Sequence, residues 1–253
     1  MDGNILQTIA ARLRPLVEER KRDFPIEEFS TPAPKPFKAN FPGVIAELKK
    51  ASPSKGLIRE DFRPVELAVE LESSGAAALS VLTEPNFFLG STEYLKNVAA
   101  QVSIPCLRKD FIFDEYQIRE AREYGASAVL LIAALLDQKR LVHLAEYALE
   151  CGLDVLGEAH DGYEVARLLD SPATLIGVNA RDLKTFSTDL KTVEKLLKLV
   201  PRERCPVAES AIRTHDDIAH LREFGAQGFL IGETLMRAPH PGEKLRELLG
   251  DGL

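Results

Sequence analysis

A chain of 253 residues, 45% hydrophobic and 28% charged, has room for one large α/β domain or two small ones and has the composition of an ordinary globular protein. Its net charge of −7 argues against a broad nucleic-acid or acidic-membrane footprint, so an anionic substrate would need a local cluster of Lys, Arg and backbone N–H groups. Cys106, Cys151 and Cys205 are scattered and odd in number, the histidines show no zinc-binding spacing, and no signal peptide or bilayer-length apolar run is visible. These features point to a cytoplasmic protein with reduced thiols and no metal.

In chain order, Ile5, Ile9, Leu13 and Leu16 recur at three- and four-residue steps and predict an amphipathic opening helix. The stretch Ser30-Thr31-Pro32-Ala33-Pro34-Lys35-Pro36 is too rich in proline for helix or central strand. Residues 1–40 are too few for a core of their own and read as an extension folded back on one domain spanning 1–253. From Val44 onward, short β-type runs alternate with helical stretches. Strands are expected near Val44–Lys49, Ala77–Leu82, Ile104–Lys109, Ala128–Ile132, Asp154–Glu158, Leu175–Asn179, Pro206–Glu209 and Gly228–Ile231. Helical patterns lie near Pro64–Ser74, Thr92–Gln101, Glu115–Tyr124, Gln138–Cys151, Gly162–Leu169, Leu190–Val200, His215–Phe224 and Gly242–Leu249.

Eight β/α units of about 25 residues each are what a closed parallel (β/α)8 barrel requires. An internal echo supports the barrel: Ser74-Gly75-Ala76, Tyr124-Gly125-Ala126 and Phe224-Gly225-Ala226 each end a helix just before an apolar strand. The competing open doubly wound sheet would place G-x-G-x-x-G at a strand-to-helix turn, and none is present.

The active site of such a barrel lies at the carboxyl ends of its strands. Those ends collect Glu47 and Lys49, Lys109, Glu158, Asn179 with Arg181 just beyond, Glu209-Ser210, and Gly232-Glu233 opening a short helical stretch Thr234–Arg237. Each alone also reads as ordinary strand-end polarity, and Lys109-Asp110 as a local ion pair of little worth. Their convergence on one rim is the argument for a site. Ser210 and the N–H groups of Ala211, Gly232 and Glu233 would form a phosphate site. Lys49, Lys109, Asn179 and Arg181 would meet a second anion or a carbonyl. Glu158 and Glu47 read as the only carboxylates placed for base work. Phe88, Phe111, Leu130 and Leu183 could line an apolar pocket, although core packing is the stronger reading of each on sequence alone.

The stretch Glu47-Leu48-Lys49-Lys50-Ala51-Ser52-Pro53-Ser54-Lys55-Gly56 resembles the signature of indole-3-glycerol phosphate synthases. The resemblance continues through Leu107-Arg108-Lys109-Asp110-Phe111-Ile112, Gly177-Val178-Asn179-Ala180-Arg181-Asp182-Leu183, Ala208-Glu209-Ser210 and Leu230-Ile231-Gly232-Glu233-Thr234-Leu235-Met236. It implies a cofactor-free (β/α)8 barrel, acting in tryptophan biosynthesis on a small phosphorylated substrate, with no nucleic-acid or membrane partner; a monomer is expected. By position, Lys109 resembles the general acid and Glu158 the base. Lys49, with Glu47 beside it, resembles the residue holding the substrate carboxylate and is also a candidate acid for departure of the hydroxyl; sequence alone does not divide the work between the two lysines. Asn179 and Arg181 match positions that orient carboxylate and sugar hydroxyls, and Ser52 and Ser210 match phosphate-side positions. One departure stands out: Ala211 occupies a position where the family usually has glycine, so a positive φ there would be strained. The related isomerase of phosphoribosylanthranilate, generally associated with a Cys and Asp pair, fits less well because Cys106 lies near the start of its strand, at the wrong end.

Overall fold

The computed structural model describes residues 5–179 and 190–250. Eight parallel strands close into a barrel: β1 Gly43–Leu48, β2 Ala78–Leu82, β3 Cys106–Lys109, β4 Ala128–Ile132, β5 Asp154–Ala159, β6 Leu175–Asn179, β7 Pro206–Glu209 and β8 Gly228–Ile231. Each strand pairs with its sequence neighbours, and β1 closes on β8 with Val44 opposite Phe229. Nearly every strand residue is buried because helices cover the outer face and side chains fill the interior, which is why the strands read as apolar runs.

The helices are α1 Ile5–Asp23, α2 Pro64–Ser73, α3 Thr92–Ala99, α4 Glu115–Glu123, α5 Gln138–Glu150, α6 Gly162–Leu169, α7 Leu190–Leu197, α8 His215–Glu223, the short α9 Glu233–Arg237 and α10 Pro241–Leu249. Their starts are chemically marked. Asp114 and Thr214 form capping boxes, while Ser91, Asp137 and Asp161 accept a first-turn N–H. The repeated glycine stops carry left-handed φ values of +97° at Gly75, +80° at Gly125 and +99° at Gly225.

The extension runs the length of the barrel wall. Leu6, Ile9, Ala10, Leu13 and Val17 of α1 join the same apolar core as the barrel. Leu13 is fully buried, so Leu13→Ala would cost about 2–5 kcal/mol. Arg20 then pairs with Glu120 of α4 at 2.7 Å, and Lys35 donates to the carbonyl of Val102. At the amino end of the strands, Asp154 accepts the N–H groups of Phe37 and Lys38. The amino end of α1 lies at the opposite face, where Ile5, Leu6 and Ile9 border the cavity described next.

Candidate active site

Alternation along a barrel strand sends every second side chain inward, and alternate strands contribute to the same interior layer. At the carboxyl end that layer comes from the odd-numbered strands: Glu47 of β1, Lys109 of β3, Glu158 of β5 and Glu209 of β7. Lys109 Nζ lies 2.7 Å from Glu158 Oε2 and 3.1 Å from Glu209 Oε2. Glu47 is paired with Lys49, two residues on and just past the end of its strand. Glycine on neighbouring strands makes room for the carboxylates. A Cβ at Gly177 would sit 2.1 Å from Glu209 Oε1, and one at Gly232 would sit 2.2 Å from Glu47 Oε1. Neither position could carry a larger residue without moving an acid of the layer.

Electrostatics sets Glu158 apart from Glu209. Burial alone would raise the pKa of Glu158, but Lys109 on one oxygen and His160 near the other hold it well below the usual carboxylate range. Glu209 has no cation on its own strand. Burial, reinforced by Glu158 and only partly opposed by Lys109, pushes its carboxyl up to about 8. Lys109 is also buried, which favours the neutral amine, yet Glu158, Glu209 and Glu47 together raise its pKa above the ordinary lysine value. The result is an ammonium and an ionised carboxylate in contact on the floor of the site.

That floor opens into a cavity of about 560 Å3. Beyond the charged layer, its wall includes Lys49, Ser52, Asn179, Ser210, Ala211, Gly232 and Glu233, with Phe88, Phe111 and Leu130 on the apolar side. The Phe88 and Phe111 ring centroids lie 5.8 Å apart. Phe88 is placed by buried Glu84, whose carboxylate accepts the N–H groups of Asn86, Phe87 and Phe88 at 2.7–3.1 Å. Across the cavity, Ser210 donates to Asn179 Oδ1 at 2.8 Å. Ser210 and Ala211 both have positive φ, +68° and +64°, so the strain anticipated at Ala211 is present. Thr234 anchors the start of α9 by donating to the carbonyl of Ile212 at 2.6 Å. Arg59, in the loop after β1, donates to the carbonyls of Met236 and Ala238 and ties that loop to the same side.

The described residues singled out from sequence thus border one cavity; Arg181 and Leu183 lie outside the described residues. Two readings need correction. Lys109 does not pair with Asp110. Successive side chains point to opposite sides, so Asp110 turns outward to Arg108 at 3.0 Å in a buried cluster with Glu120. Glu47 and Glu158 are also not the only acids in place, because Glu209 reaches Lys109 as well. Sequence reasoning brought Glu209 to the rim but gave it no role, and it passed over His160, which stands behind Glu158. The signal for His160 was the same two-residue spacing that drew attention to Glu47 and Lys49.

The chain matches the indole-3-glycerol phosphate synthase family over residues 6–248. It is 50% identical over 202 residues to the indole-3-glycerol phosphate synthase of Aliarcobacter butzleri (strain RM4018), covering 80% of this chain and 77% of the relative. Solved structures share the fold at low identity. A thiamine phosphate pyrophosphorylase from Pyrococcus furiosus matches with a TM-score of 0.61 and 16% identity, over 81% of this chain and 92% of that one. A 3-hexulose-6-phosphate synthase from Salmonella typhimurium matches with a TM-score of 0.65 and 12% identity, over 81% of this chain and 96% of that one. With a charged layer, an apolar wall and a match that spans nearly its whole length, the chain belongs to the indole-3-glycerol phosphate synthase family.

Proposed function

We propose that this enzyme converts 1-(2-carboxyphenylamino)-1-deoxyribulose 5-phosphate to indole-3-glycerol phosphate, CO2 and water, with the chemistry divided among the odd strands. The phosphate docks against Ser52, Ser210 and the N–H groups of Ala211, Gly232 and Glu233. The aryl ring lies along Phe88, Phe111, Leu130 and Leu183. Lys49, aligned by Glu47, holds the ring carboxylate, with Asn179 and Arg181 orienting it and the sugar hydroxyls.

The ring carbon bearing that carboxylate attacks the ketone carbon. Negative charge builds on the ketone oxygen, and Lys109 stabilises it and delivers a proton, giving an alcohol. Loss of CO2 returns the bonding electrons to the ring. Lys49 then gives the hydroxyl a proton so that it departs as water, while Glu158 takes a proton from the adjacent carbon that bears the nitrogen, and the indole is aromatic. Glu209, its carboxyl pushed up to about 8, accepts from Lys109 without competing fully for its charge. We read the enzyme as a cytoplasmic monomer; its three cysteines are free, and no described helix is long and apolar enough to cross a membrane.

The Lys109–Glu158 contact at 2.7 Å supports this reading, because it puts an ammonium beside a carboxylate on the floor of a cavity with an apolar wall. The test is direct. The chain contains no tryptophan, so indole fluorescence from the product rises against no indole background from the protein. Purified enzyme mixed with the carboxyphenylamino-deoxyribulose phosphate, without cofactor, should develop that signal. No signal with a substrate that a known synthase turns over would sink the assignment.

A further inference from the structure

Behind the charged layer stands a second row of groups that never reaches the cavity. His160 follows Glu158 by two residues, so both side chains leave the chain on the same side. Its Nε2 lies 3.3 Å from Glu158 Oε1, the oxygen that Lys109 does not occupy. The opposite ring nitrogen, Nδ1, lies 3.2 Å from Glu164 Oε2 in the first turn of α6. That same oxygen accepts the backbone N–H of His160 at 2.7 Å. Glu164 is itself fixed, because its N–H is taken by the N-cap Asp161 at 2.8 Å. Ring and backbone of His160 are therefore clamped together by one carboxylate at a capped helix start.

A ring with a carboxylate at each nitrogen satisfies both only as the imidazolium, which carries an N–H on each side. The Nε2 contact is one of charge, since that buried nitrogen is not aligned for a hydrogen bond. The groups facing the ring are Glu158 at the end of β5 and Glu164 on α6; Lys109 and Glu209 act on it through Glu158. We infer that His160 is a positioning residue for the proposed base: as a cation it holds Glu158 ionised from behind, on Oε1, while Lys109 holds Oε2 from within the barrel. Burial disfavours the charged ring, but the two flanking glutamates outweigh it and bring its pKa up to about 10, so the brace persists across the working pH range.

The inference rests on Glu158 being the base, and the experiment separates the two ideas. Rates with the carboxyphenylamino-deoxyribulose phosphate are measured from pH 3.5 to 9 for wild type, His160→Phe, Glu164→Gln, Glu158→Gln and the double variant of positions 158 and 160. Removing a cation this close to a buried carboxylate should raise its pKa by about 1–3 units. His160→Phe should therefore move the acid limb of kcat upward by at least about one pH unit, lower kcat by roughly 10-fold or more and leave KM within about 3-fold. Glu164→Gln, which keeps the ring and lies away from the cavity wall, should move the limb the same way by less. In the Glu158→Gln background, His160→Phe should cost almost nothing further, because the group it positions is gone. An acid limb unmoved in both single variants, or a full additional loss in the double variant, overturns the role of His160. If His160→Phe does not fold, Glu164→Gln alone decides by the same criterion. A Glu158→Gln enzyme as fast as wild type would instead overturn the assignment of the base.

Discussion

Glu209 offers a quantitative test of the charged layer that needs no substrate. Its carboxyl, raised from 4.5 to about 8, keeps a proton in the folded chain that the unfolded chain loses. The sign follows from linkage. Where the native state binds more protons, stability falls as pH rises, so this contribution is fullest below about 4.5 and disappears as pH passes 8. One proton difference is worth about 1.4 kcal/mol per pH unit, hence a ceiling of roughly 3 kcal/mol between pH 6 and 8. Lys109 is shared with Glu158, so an effect of about 1–3 kcal/mol is expected. His160 acts in the same direction: its pKa is raised from 6.5 to about 10, so its contribution is intact below 6.5 and lost as pH climbs through 10. Glu209→Gln removes the first effect and keeps the second. Urea unfolding followed by far-ultraviolet circular dichroism should show the wild type losing about 1–3 kcal/mol more than Glu209→Gln between pH 6 and 8. Parallel curves for the two proteins would mean that Glu209 is already ionised at neutral pH and that the reasoning about its isolation is wrong.

Three further outcomes bear on the chemistry. Glu158→Gln keeps the shape and removes the base, so kcat should fall by about 10²–10⁴-fold with KM little changed; a loss confined to KM would make Glu158 a binding residue. Quenched single turnovers should show Lys109→Met leaving substrate bound and unclosed, whereas Lys49→Met should weaken binding and let a ring-closed intermediate accumulate. The reverse pattern would exchange the two lysines' roles. Ala211→Gly relieves a left-handed alanine worth about 1–2 kcal/mol, less the added chain entropy of glycine, so it should lower KM by up to several-fold with kcat nearly unchanged, and an unaltered KM would show that the strain is not coupled to phosphate binding.

The barrel was legible because its signals are local and repeated. Strands β4, β6, β7 and β8 begin and end where the apolar runs do, since helices seal their outer faces and no polar alternation blurs the pattern. Boundaries moved where backbone chemistry intervened. Strand β3 starts at Cys106 and not Ile104, just past Pro105, whose ring nitrogen has no N–H to donate to a ladder. Helix α7 stops at Leu197 because Leu199 and Val200 donate three residues back, to Leu196 and Leu197, as the chain tightens ahead of Pro201. What stayed hidden was pairing across the barrel. Lys109 meets partners 49 and 100 residues away, on strands that are not its neighbours. Alternation says that a side chain points inward; only closure says what it meets there.

The charges of the layer nevertheless follow a rule that sequence carries. A buried carboxylate must be neutralised or paired. Glu47 has Lys49 two residues on, and Glu158 has His160 two residues on. Glu209 has Ala211 at that spacing and must lean on Lys109, which already serves Glu158. A carboxyl left to share its cation is driven toward its protonated form, which is the direction found. Lifting Glu209 toward its protonated form removes part of one negative charge from beneath the cavity. For a chain of net charge −7, less negative charge at that spot favours an anionic substrate, and it arises because Glu209 lacks a cation two residues on.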